Sequence, residues 1–244
     1  MNKRSRTSND FLSLSYVSLS LIGLVILAVA TYTSPTSTII FNPQKQLTGS
    51  IFTAICLLGI IAGVVPSRCS RTPHFSYRKK ANKQEQNDRE TMIAWFVGHH
   101  PACGNFSAHI LRLGSKTYCA GCTGLVLGAI ISLIGILSYS FLDFNVGENA
   151  VLIFWVGFIA VACGLLQYHI LDGNRGAVHF FFNVTFVLGA FLLQVGINEI
   201  TGNFIVGFYL FTLIIYWIIT RIMTSQLEHE KVCSTCSLKS CSYV

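Results

Sequence analysis

Six long apolar runs confine this chain to one class of fold. They are Phe11 to Tyr32, Gly49 to Val65, Gly124 to Phe141, Ala150 to Tyr168, Val178 to Gly196 and Asn203 to Ile222. Each reaches the roughly 17 to 20 residues that a helix needs to cross hydrocarbon. Lipid offers no water to backbone N–H and C=O groups, so each segment must close its own hydrogen bonds as a helix. Charged residues make up 11% of the chain, against about 25% in a soluble domain, and the mean hydropathy is +0.58. The expected fold is all-α: a polytopic membrane protein of about six transmembrane helices with a small Cys/His-rich cytoplasmic cap. Its expected partner is the lipid bilayer. Glycines recur in the runs (Gly59, Gly63, Gly128, Gly135, Gly157, Gly164, Gly189), as expected where helices pack closely.

Charge gives the orientation. With the N-terminus in the cytoplasm, every one of the 17 Lys and Arg residues except Lys45 falls on the inner side, a positive-inside pattern. Both termini are then cytoplasmic and the protein is expected in the cell membrane. The net charge of +7 reads as this topology signal, and nucleic acid is not an expected partner. Ala28-Val-Ala30 behind a basic start resembles a signal cleavage site, but the first run is longer than the 7 to 15 residues of a signal h-region, which favours an uncleaved span. The organisation reads as a two-span unit (1–66), a basic linker (67–92), a four-span core (93–222) and a Cys-rich tail (223–244). Thr91 to Val97 is apolar but too short to span, and is placed at the interface.

Chemistry concentrates just before the third run. His99, His100, Cys103, His109, Cys119 and Cys122 fall within 24 residues. On the cytoplasmic side, thiols stay reduced, which favours metal ligation or thiol chemistry over disulfides. Cys119 and Cys122 form a Cys-x-x-Cys that offers two zinc ligands from one turn. A second knuckle comes from His100 with Cys103, or from Cys103 with His109, as in a ribbon-type zinc site. The segment between, containing Gly114, is long enough to fold back. Thiol redox chemistry competes, because a Cys-x-x-Cys at a helix start meets the positive end of the helix dipole. Cys56 and Cys163, within spans, read as apolar packing residues, and the Asn105-Phe-Ser sequon, on the cytoplasmic side, is discounted.

The fourth and fifth runs join through Asp172-Gly173-Asn174, a strong turn signal. Asp172 and Arg175 then lie on the same membrane face as the Cys/His stretch. Asp172 is suited to orient a ligating histidine; His169 and His179 read as interfacial side chains and spare ligands. Asn183, inside the fifth run, needs a hydrogen-bond partner from another helix or the loop.

Cys119-Ala-Gly-Cys-Thr-Gly124 leading into a Gly-containing span, the Asp172-Gly173 turn, and the following span with Asn183 and Gly189 together resemble an uncharacterised prokaryotic family of small multi-pass membrane proteins, known only as a domain of unknown function. The resemblance covers roughly residues 95 to 200. It implies a four-span core with a Cys/His element and no defined activity. Here Gly98-His-His-Pro lacks a Cys directly before the His, and no Arg stands between Cys119 and Cys122, so the upstream ligand stays open.

The tail repeats the ligand types: His229, Cys233, Cys236 and Cys241 form a second candidate metal set. Zinc is the expected ion at either group; an iron–sulfur cluster fits less well, because histidine ligation is its minority case. Three functions follow in order: a membrane-anchored zinc-type protein, a membrane thiol oxidoreductase or metal-dependent enzyme using Cys119 and Cys122, and a transporter. No Asp, Glu, Lys, Arg or His falls near the middle of a run, which places the transporter last.

Overall fold

The computed structural model describes residues 3–34, 42–64, 109–113, 116–142, 146–170 and 176–234. They form six α-helices, one hairpin and a short 3-10 helix (Gly147–Asn149): α1 (Lys3–Thr33), α2 (Asn42–Val64), strands β1 (Ile110–Leu113) and β2 (Lys116–Cys119), α3 (Ala120–Phe141), α4 (Ala150–Ile170), α5 (Gly176–Ile200) and α6 (Phe204–Ser234). All six helices contain stretches long and apolar enough to cross a membrane, so the all-α polytopic expectation holds. The cap differs from that expectation in containing an antiparallel hairpin.

Helices α1, α2, α3 and α5 begin before their apolar runs, and α6 ends well after its own. Pro43 stands in the first turn of α2, where its missing N–H costs nothing. The sixth run, read as Asn203 to Ile222, belongs to a helix that continues to Ser234. Met223, Gln226, Leu227 and Glu228 are good helix formers, and Lys231 pairs with Glu228 at 3.5 Å one turn away. Arg221 therefore lies inside the apolar stretch Phe204–Glu228, not at its edge.

Helix α5 is the centre of the bundle. It runs parallel to α3 and antiparallel to α4; α2 flanks α3, and α1 pairs with α6. Glycines set the closest approaches. A Cβ on Gly157 would lie 2.8 Å from the Gly189 carbonyl, and one on Gly189 would lie 2.9 Å from the Gly157 carbonyl, so α4 and α5 touch backbone to backbone. Phe52, Ile136, Phe154, Leu165, Leu193 and Trp217 fill the shared core, with Cys56 packed among them as a small apolar residue. Leu14, Ile22, Ile61, Ile134, Ile159 and Ile215 point outward, which fits a lipid surround.

Polar side chains tie the helices where lipid offers no alternative partner. Between α1 and α6, Ser20 Oγ and Thr220 Oγ1 are 3.0 Å apart, and Trp217 Nε1 donates to the Ser20 carbonyl at 3.4 Å. At the end away from the hairpin, Gln194 Nε2 donates to Asn198 Oδ1 and Asn198 Nδ2 to Thr48 Oγ1, each at 3.1 Å. Beside them Tyr139 Oη donates to Glu199 Oε1 at 2.8 Å, and Lys45 Nζ stands 4.0 Å from that carboxylate and 4.0 Å above the Tyr139 ring. Lys45, which lies outside the apolar runs, is thus a buried member of the helix bundle.

Replacing Gly157 with Leu should force α4 from α5 and cost about 1–3 kcal/mol or more through overpacking. Melting of the detergent-purified variant reads this directly; an unchanged transition would contradict the backbone contact.

Candidate functional site at the hairpin end

The hairpin forms because Ile110 to Leu113 and Thr117 to Tyr118 are rich in β-branched, aliphatic and aromatic residues, and Gly114-Ser115 between them has turn composition. Its register pairs Ile110 with Cys119 and Leu113 with Lys116. The strand β2 passes into α3 without a linker: Cys119 is the last strand residue and the N-cap of the helix, with extended φ −69° and ψ 119°. Thr123 Oγ1 donates to the Cys119 carbonyl at 2.8 Å and steadies this first turn. Cys119 is buried and Cys122, one turn on, is half-buried. Cys56, Cys119, Cys122 and Cys163 form no disulfide.

The hairpin rests on the start of α5. Gly176 meets the backbone of Ile110 so closely that a Cβ there would overlap the Ile110 carbonyl, so this position requires glycine. One turn later, the His179 ring stacks on His109, with centroids 5.0 Å apart and planes at 22°, and Tyr168 stands 5.6 Å away on α4. His179, read from sequence as interfacial, is in fact buried beneath the hairpin. No three of the described His, Cys, Asp and Glu side chains converge closely enough to hold a metal ion. His109 thus meets His179 but does not join Cys119 and Cys122 in one ligand cluster.

Asn183 finds the partner its place in a span demanded. Its Nδ2 donates to the His179 carbonyl at 2.5 Å, and its Oδ1 accepts from Arg221 Nη2. Its side chain lies against the first turn of α3: a Cβ on Gly124 would stand 2.9 Å from Asn183 Cβ, and one on Gly121 would stand 3.9 Å from Nδ2. Arg221 is 7% exposed. Its Nη1 also donates to the Gly164 carbonyl at 2.7 Å, and Gln167 Oε1, in the amide orientation that faces the guanidinium, accepts from both Nη1 and Nη2 at 2.8 Å. The rings of Tyr168 and Phe186 stand 5.1 and 5.5 Å from its central carbon, within cation–π range.

Sequence reasoning took Arg221 as a topology charge at the end of a span. The usable signal was the absence of any helix breaker after Ile222, which carries α6 onward and keeps Arg221 within the bundle. Of the other candidates, His99, His100, Cys103, Asp172, Arg175, Cys236 and Cys241 lie outside the described residues. His169 lies in the last turn of α4, and His229 and Cys233 in the last turns of α6.

Substituting Asn183 with Leu leaves a charged donor without one of its acceptors and should cost about 1.5–3 kcal/mol, read as a lower melting temperature. A variant as stable as the parent would show that the guanidinium does not depend on this bond. No family model, curated protein or solved structure matches the chain.

Proposed function

We propose that this is a multi-pass protein of the cell membrane whose hairpin end, on the cytoplasmic face, holds a zinc-type metal ion on Cys119 and Cys122. One observation carries the reading. The hairpin register pairs Ile110, at the start of β1, with Cys119. A strand running directly into a helix presents a Cys-x-x-Cys as one knuckle, and a segment folded back on it is the usual source of the second.

The residues present fit such an ion in kind. Two closely spaced sulfurs at the head of α3 are soft donors, and the helix N-terminus favours their anionic form. His99, His100 and Cys103 would complete the tetrahedron, while His109 is engaged with the His179 ring. A closed four-ligand site fastens the upstream segment to the bundle and supplies folding energy there. The tail set His229, Cys233, Cys236 and Cys241 would make a second site. A thiol oxidoreductase is the second reading, favoured by Cys119 as N-cap, since a thiol at that place meets the partial positive charge of the helix.

Orientation rests on the charge pattern together with the even number of spans, which brings both chain ends to the side that bears the hairpin. Reporter fusions at residues 143–145 and 201–203 should report the outside, and fusions at either chain end the cytoplasm; the reverse pattern would overturn this.

Metal analysis of detergent-purified protein should give about one zinc per chain at the first site. Cys119→Ser and Cys122→Ser should each lose it and melt lower. Normal metal content in both variants would reject the zinc reading. A metal-free protein with a reversible Cys119–Cys122 disulfide would support the oxidoreductase instead.

A further inference from the structure

The end of the bundle away from the hairpin holds polar atoms that the chain itself does not serve. Among the described residues, three buried side-chain oxygens meet no hydrogen-bond partner: Thr53 Oγ1, Ser140 Oγ and Gln194 Oε1. An oxygen in that position has lost its solvation without return, and native proteins keep few of them. All three fall at this one end, although both ends bury polar groups. At the hairpin end, the Arg221 guanidinium is met by Gly164, Gln167 and Asn183.

The three oxygens share one neighbourhood. Gln194 bonds Asn198, and Asn198 bonds Thr48. Gly49, the next residue, lies so close to Ser140 that a Cβ on it would overlap the hydroxyl. Thr53 follows Gly49 by one helical turn. Helices α2, α3 and α5 thus each bring one oxygen to the surroundings of Thr48 and Gly49. Tyr139, beside Ser140, donates to Glu199. Lys45 Nζ stands 4.0 Å from the same carboxylate, and the two side chains are 10% and 13% exposed. That separation is too long for a direct hydrogen bond, and polar groups this far apart are commonly bridged by water.

We propose that this end of the bundle is a binding site for internal water, which enters past Lys45 and Glu199 and is held by Gln194 Oε1, Ser140 Oγ and Thr53 Oγ1. The donor set selects the ligand. An amide oxygen only accepts, whereas a hydroxyl both donates and accepts, so the ligand must donate at Gln194 and match either role at Ser140 and Thr53. Water does both, and a buried water makes about three hydrogen bonds to polar groups that would otherwise be unmet. The Lys45 ammonium opposes a metal cation here, and the Glu199 carboxylate opposes an anion. Bound water gives Tyr139 and Glu199 a hydrogen-bonded connection to the surroundings, through which protons exchange without the helices parting. The inference is independent of the zinc reading.

The sign of a stability change separates wet oxygens from dry ones. Thr53→Val and Ser140→Ala each delete one hydroxyl with little change of shape. If the hydroxyl is dry, its removal relieves an unmet polar group and melting rises or holds. If it holds water, a hydrogen bond is lost. Each variant of the full chain in detergent is then expected to melt about 2–4 °C lower, the shift that one net hydrogen bond gives a chain of this size. Radiolytic hydroxyl labelling of the parent, read by mass spectrometry, supplies a measurement that needs no variant. Tyr139 and Trp217 are both buried, but the Trp217 indole N–H is met by the Ser20 carbonyl. Labelling is expected at Tyr139 and not at Trp217, because radicals form from the water held beside Tyr139. Unchanged or higher melting in either variant would overturn the proposal, as would a Tyr139 no more labelled than Trp217.

Discussion

The guanidinium of Arg221 is the interaction on which the hairpin end of the bundle depends. A charge within a low-dielectric interior is tolerated only where its donors are met. Meeting them requires α4 to bring Gly164 and Gln167, and α5 to bring Asn183, to the same point on α6. Three helices are thereby held at one height. Misplacing any of them strands a charged donor in an apolar setting, which makes the arrangement selective as well as stable.

The opposite end is held by a different device. There Lys45 has a carboxylate, Glu199, within 4.0 Å, and Tyr139 bonds the same group, so charge is balanced on site. Between the two polar levels the helices meet through glycine contacts and aliphatic packing, as at Gly157 and Gly189. Van der Waals contact is what remains for helix association where lipid is as apolar as the side chains. Among the described residues, a cation neutralised by a carboxylate at one end contrasts with a cation whose acceptors are neutral at the other.

The hairpin carries this bundle geometry to the Cys119–Cys122 turn. Because β2 becomes α3 at Cys119, the position of the sulfurs is set by the helix, and the position of the helix is set by Gly121 and Gly124 against Asn183. Gly176 lets the same hairpin lie on the start of α5, where His109 and His179 stack. The Cys-x-x-Cys is thus presented by rigid elements and not by a loop.

The membrane class and the number of spanning helices were legible in the sequence, because hydropathy is a local property. The demand of Asn183 for a partner was legible as well, since a buried amide in a span must bond to something. What met that demand was not legible. Arg221 lies 38 residues away in the chain, and only the packing of α6 against α4 and α5 decides that its side chain turns inward to Gly164, Gln167 and Asn183. The burial of His179 and of Lys45 has the same origin. The sequence by itself determined which segments leave water, through their apolar length; the tertiary structure alone decided which polar groups those segments take with them, because a buried charge chooses its partners through space and not along the chain.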